Sequence, residues 1–277
     1  MRALLVAAAL AVAPASAAAD RATAAALAKV PGDVAFVASV DVARARKTRA
    51  YRKLPAELRR DAERLRVERA WIVMPASAFG GARQMALLAT TPIDEAEFLA
   101  YIDRKPKVVA KKAHGRTYYL TGDHAWAYLD GQILLAPPDY VERVLETDGP
   151  AATDSVELMT AVAAADRAGA HAWMAMVLPE SARAELRKQS VVASLADIRW
   201  IAGRITIDRG ARFAAEIRAG SAASAEAIGS LLRMATGMKT SDATLESLTF
   251  AVRESSVEIA GALSAAALDD ALRRMNP

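Results

Sequence analysis

The chain has 277 residues, 53% of them hydrophobic and 25% charged, enough apolar material for a sizeable core and too much for a disordered chain. It contains no cysteine, which excludes disulfides, thiol nucleophiles, cysteine–zinc sites and iron–sulfur clusters. The formal net charge is only +4, so where the charge sits matters more than its total.

Met1-Arg2 gives a basic start, residues 3–13 are uniformly apolar, Pro14 breaks the run, and Ala15-Ser16-Ala17 supplies small residues. This pattern predicts a signal peptide over 1–19. The run is well short of the roughly 20 residues that span a bilayer. With no cysteine after it, a lipid anchor is not expected. The mature chain should begin near Ala18 or Asp20 and be periplasmic or secreted, with no transmembrane span after signal removal.

Residues 20–29 read as an Ala-rich helix ended by Pro31-Gly32. Residues 33–41 alternate, placing Val34, Phe36, Ala38 and Val40 on one strand face. Two helices follow, split at Leu54-Pro55. Leu58, Ala62 and Leu65 form a stripe on the second. Residues 70–74 and 84–90 are strands, joined by a loop with Gly80-Gly81. Thr91-Pro92 opens a helix with Phe98, Leu99 and Ile102 inward. Strands are expected at 118–120, 125–129 and 132–136, the last two joined by the hairpin turn Asp130-Gly131. Pro137-Pro138 opens a helix to about 146.

A helix at 155–167 then leads to a strand at 171–178, and Pro179 opens a short helix to 188. Strands 198–208 and 211–219 form a hairpin through Arg209-Gly210. Ile201, Ile205 and Ile207 share its inner face with Phe213, Ala215 and Ile217. A helix at 224–236 buries Ile228, Leu231 and Leu232, with Met238 just beyond. Two alternating strands follow, one with Leu248, Phe250 and Val252 inward, the other with Val257, Ile259 and Leu263. Ser264 caps a last helix carrying Leu268 and Leu272.

The order of elements recurs, with Ala35-Phe36-Val37 set against Ala172-Trp173-Met174 and Ala70-Trp71-Ile72 against Arg199-Trp200-Ile201. The expected fold is α+β: two tandem, duplicated units, 20–150 and 151–277, of mostly antiparallel sheet with helices packed on one face.

No catalytic signature is present. There is no G-x-S-x-G elbow, no P-loop and no dinucleotide fingerprint. His114, His124 and His171 lack metal-ligand spacing, so neither a metal nor a cofactor is expected, and no catalytic residue is assigned. Asp123-His124 reads as a turn and a half-exposed strand residue. The four tryptophans lie on strands and read as core; Tyr118 and Tyr119 read as edge residues.

One segment stands out. Residues 42–69 carry eleven Lys/Arg against four Asp/Glu, and no acid falls between Asp41 and Glu57. Arg44, Arg46, Lys47, Arg49, Arg52 and Lys53 are therefore the candidate docking residues for an anionic surface or an acidic envelope protein. Nucleic acid is not expected, because the chain is exported and no aromatics interleave the charges. The expected function is a non-catalytic binding or scaffold protein of the bacterial envelope. The alternative is a hydrolase with a carboxylate site between the halves.

Overall fold

The computed structural model describes residues 20–78, 85–146, 149–189, 193–237 and 245–274. The signal segment, Gly80-Gly81 and Met238 lie outside them. The first unit runs α1 (Arg21–Leu27), β1 (Val34–Asp41), three short helices α2 (Val42–Ala45), α3 (Arg49–Arg52) and α4 (Ala56–Arg64), then β2 (Arg69–Pro75) and β3 (Ala86–Thr90). It continues with α5 (Glu95–Ile102), β4 (Val108–Ala113), β5 (Arg116–Thr121), β6 (His124–Tyr128), β7 (Gln132–Ala136) and α6 (Pro138–Leu145). The second runs α7 (Val156–Ala165), β8 (Ala172–Val177), α8 (Glu180–Arg187), β9 (Ile198–Ile207), β10 (Ala211–Ala219), α9 (Ala222–Gly237), β11 (Leu245–Arg253), β12 (Ser256–Leu263) and α10 (Ala265–Arg274).

All twelve strands form one antiparallel sheet, ordered β11-β12-β10-β9-β8-β1-β2-β3-β7-β6-β5-β4. The α+β class read from the sequence is the architecture found. The two units' strands do not make separate sheets. They merge where β1 pairs with β8, in the register Val37↔Ala175 and Ser39↔Trp173.

Local chemistry explains most of the boundaries. Asp130 and Gly131 both take positive φ, 49° and 80°, which gives the primed turn that a two-residue hairpin needs. Helix α5 starts three residues after the predicted Thr91-Pro92. Its N-cap is Asp94, which accepts from the Glu97 amide at 2.8 Å while the Glu97 carboxylate reaches back to the Asp94 amide. Thr91 instead ties down the approach, accepting from the Ile93 amide and donating to the Leu65 carbonyl. The basic segment forms three helices rather than two, because Asp41 and Thr48 each cap a new one. On α4 the predicted stripe holds only in part: Leu65 is buried, but Leu58 is exposed.

Alternation along the strands sends neighbouring residues to opposite faces. Val37, Trp71, Val73, Leu88 and Leu134 share one face, where Leu27 of α1, Val141 of α6 and Leu158 and Val162 of α7 close a core that spans both units. On the other face, Ala89, Ile133 and Trp126 pack with Phe98 and Ile102 of α5 and with Val42 and Tyr51 of α2 and α3. Farther along that face, Ile217 and Val257 pack with Ala225 and Ile228 of α9. Helix cover is thus shared between the two faces, in patches, and not confined to one. The physical reason is that β2, β3 and β7 are apolar on both sides, so each side needs cover.

Candidate functional site

Among the described residues, the patches leave one region of the sheet without a helix. It is the second face of β2, β1, β8 and β9, between α5 and α9. Three cross-strand rows make it up. Met74, Phe36, Met176 and Ile201 lie side by side, then Ile72, Ala38, Met174 and Gly203, then Ala70, Val40, Ala172 and Ile205. Every member is apolar. Val40, Ile72 and Met174 are each more than a third exposed, at 37%, 39% and 36%. Their immediate neighbours in sequence, Ser39, Trp71, Val73, Trp173 and Ala175, are all buried on the opposite face beneath α1 and α7. The methionines of this apolar strip add an adaptable, polarizable surface.

The strip ends in positive charge. Ile207, two residues beyond Ile205 on the same face, lines a cavity of about 540 Å³ together with Lys47, Thr48, Arg49, Arg52, His171, Asp208, Arg209 and Ala265. Arg49 also pairs with Asp269 of α10 at 3.1 Å, and Asp208 is taken by Arg212 at 3.2 Å. Among the described residues, Lys47, Arg52 and Arg209 have no carboxylate within ion-pair distance. His171 accepts the Ile207 amide on Nδ1 at 3.1 Å, which requires the neutral ring. Burial, and then the charge of Arg44, hold its imidazole below the usual pKa.

The six basic residues singled out in the sequence do not form one patch. Arg44 pairs with Asp41 at 3.4 Å and faces a different cavity. Arg46 turns inward and donates to the Ala62 carbonyl at 2.8 Å, while Lys53 pairs with Asp269 at 2.7 Å. Lys47, Arg49 and Arg52 remain together at the end of the strip, where Arg209, read from the sequence only as a turn residue, joins them.

A second cavity, about 280 Å³, lies at the seam between the units on the helix-covered side. Asp20, Asp41 and Asp166 line it, with Ser39, Arg44, Arg69, Arg167 and His171. This is where the carboxylate alternative would have to operate. Each acid is already held: Asp41 by Arg44, Asp20 by Arg69 at 2.6 Å, and Asp166 by the Thr23 hydroxyl at 2.8 Å. Burial pushes the Asp20 carboxyl up, but the Ala22 amide and Arg69 outweigh it and hold the group below its usual range. A carboxyl so held is a poor proton donor near neutral pH. Among the described residues no group of three or more His, Asp or Glu could hold a metal ion, and no helix is long and apolar enough to cross a membrane.

No protein-family model matches the chain, and no curated protein matches its sequence. Solved structures do. Crystal form I of TP0453 is similar with a TM-score of 0.51 and 12% identity, covering 91% of this chain and 97% of that one. Crystal form IV gives 0.53 and 11%, covering 91% and 96%. At such identity the likeness is one of fold, and it runs over almost the whole length of both chains.

Proposed function

We propose that this protein is an exported, non-catalytic binding protein of the bacterial envelope whose ligand is a single anionic lipid. The acyl part lies along the uncovered strip over Ile72, Met174 and Val40. The anionic headgroup sits at the end, against Lys47, Arg52 and Arg209. The observation that carries this reading is the continuity of the two features: among the described residues, an apolar strip without a helix runs directly into a cavity where Lys47, Arg52 and Arg209 have no carboxylate partner. Apolar walls with a few convergent polar groups are the ordinary make-up of a ligand site. Charge at that end selects an amphiphile over a plain hydrocarbon. The likeness to TP0453 supports the fold on which the strip is built and nothing finer.

The test uses the mature chain incubated with vesicles of phosphatidylglycerol or of phosphatidylcholine, then separated from them and weighed by native mass spectrometry. One phosphatidylglycerol per chain is expected, with phosphatidylcholine bound at least about tenfold more weakly. Lys47→Glu with Arg52→Glu and Arg209→Glu should remove that preference. Ile72→Gln with Met174→Gln should abolish uptake of both lipids. Protein that merely floats with anionic vesicles, is released by salt and ignores the Ile72 and Met174 changes would mean surface docking and overturn the proposal. So would the absence of any bound lipid.

A further inference from the structure

Asp20 lines the cavity at the seam. The main-chain nitrogen of Asp20 donates to Oδ2 of Asp166 at 3.3 Å, and the same oxygen accepts from the Thr23 hydroxyl at 2.8 Å. Asp166 is the C-cap of α7, in the second unit. Asp20 is the N-cap of α1, and its carboxylate is gripped by Arg69 of β2. Thr23 is fully buried, so its hydroxyl reaches the acceptor from the core side. In the sequence, Asp20 follows Ala17-Ala18-Ala19, which places small residues at both positions that a signal peptidase reads.

We infer that the chain is cut between Ala19 and Asp20, and that the new α-ammonium of Asp20 is the built-in partner of Asp166. In the uncut chain the Asp20 nitrogen is an amide with one proton to give. Hydrolysis adds the hydroxyl of water to the Ala19 carbonyl carbon and its hydrogen to the Asp20 nitrogen. The new carboxyl then releases a proton, and the amine takes one up. A neutral donor facing Asp166 becomes a cation, and a hydrogen bond becomes an ion pair. The contacts that already hold helix α1 across the seam between β1 and β8 are thereby strengthened by one ion pair after export. Arg44, Arg69, Arg167, His171 and Asp41 line the same cavity and set the field in which the pair forms.

This inference is independent of the lipid reading. It is tested first by the mass of the chain recovered after export, which should begin at Asp20. Two purified forms then separate the charge from the residue: one beginning at Asp20, the other at Ala19. The Asp20 form should melt about 0.5–4 °C higher, the size expected of one partly exposed ion pair in a chain this long. The gap should vanish in Asp166→Asn. Acetylating the amine of the Asp20 form removes the charge without any substitution, and should lower the melting temperature by the same amount. A different first residue, a gap that survives Asp166→Asn, or no change on acetylation would each overturn the inference.

Discussion

Gly261 is a position where the fold leaves little room for a side chain, and Gly261→Ala should destabilise it by about 1–2 kcal/mol. β12 sets Gly261 opposite Phe213 of β10 on one side and Leu248 of β11 on the other. A Cβ built there falls 2.3 Å from Phe213 Cζ, 2.7 Å from its Cε1 and 2.7 Å from the Ser247 carbonyl oxygen. Carbon atoms pack best at about 3.5–4.0 Å, so something must move by more than an ångström. The ring can tilt, but the Ser247 oxygen belongs to the backbone, beside a register shift between Leu245 and Ser247. Overpacking of this kind costs about 1–3 kcal/mol. The narrower unfolded ensemble of alanine returns about 0.4–1 kcal/mol of that. Urea unfolding followed by tryptophan fluorescence measures the change as a lower midpoint at constant slope. Adding Phe213→Leu removes the two ring contacts but not the backbone one. The double variant should therefore be more stable than the sum of the single effects by at least about 0.5 kcal/mol. A Gly261→Ala protein within about 0.5 kcal/mol of wild type, or strict additivity, would refute the packing argument.

Two further outcomes follow from local chemistry. Asp94→Ala removes the acceptor for the Glu97 amide and opens the capping box, so thermal unfolding should show a loss of about 1 kcal/mol; an unchanged midpoint would mean α5 is held by packing alone. His171 sits below its usual pKa of 6.5 when folded, so the unfolded chain takes up the proton first as pH falls. Stability should decline from about pH 6.5 downward through the folded pKa, with a shallower decline in His171→Gln, and an NMR titration midpoint for His171 at or above 6.5 would contradict this.

The fold was legible where the chain repeats a period and opaque where a residue's surroundings come from far away. Ile201, Ile205 and Ile207 do share a face with Phe213 and Ile217, because alternation is a property of the strand itself. Strand β4 went unread. Its Val108–Ala113 sequence is exposed along most of its length at the sheet edge, so no face needs to be apolar, and its lysines are what such an edge carries. The available signal was the turn after it, where His114 and Gly115 both take positive φ. Tyr118 read as an edge residue, yet it is buried, because β4 lies outside β5 and α6 brings Glu142 to its hydroxyl. The match of Phe36 with Trp173 slipped by one residue. Phe36 lies on the open face and Trp173 on the covered one, and a slip of one exchanges faces. The open strip had no signature at all, since Ile72 and Met174 look like core until the helices are placed. The cations divided for the same reason: that Asp269, on the last helix, would take Arg49 and Lys53 is a fact of tertiary structure.

The topology explains why the strip falls where it does. Read outward from the seam, one side of the sheet runs β1-β2-β3-β7-β6 and the other β8-β9-β10-β12-β11. In each unit a helix precedes the first strand, helical chain lies between the first two (three short α-helices in the first unit, one α-helix in the second), and another helix follows the third strand. We propose that the units are copies of one module related by a two-fold axis normal to the sheet, with the β4–β5 hairpin as an addition to the first. Such an axis keeps each face on its own side. The leading helices α1 and α7 must then both cover one face at the seam, as they do. The third-strand helices α5 and α9 must both cover the other face, displaced outward by the same number of strands, as they are. The centre of that second face is left bare because no element of the module reaches back to it. The last helices break the symmetry: α6 joins the central core, while α10 crosses to α3 and ties Asp269 to Arg49 and Lys53. That one departure sets α10 beside α3 at the end of the bare strip where Lys47, Arg52 and Arg209 lie, and under the proposed lipid reading it is what gives the strip a head and a tail.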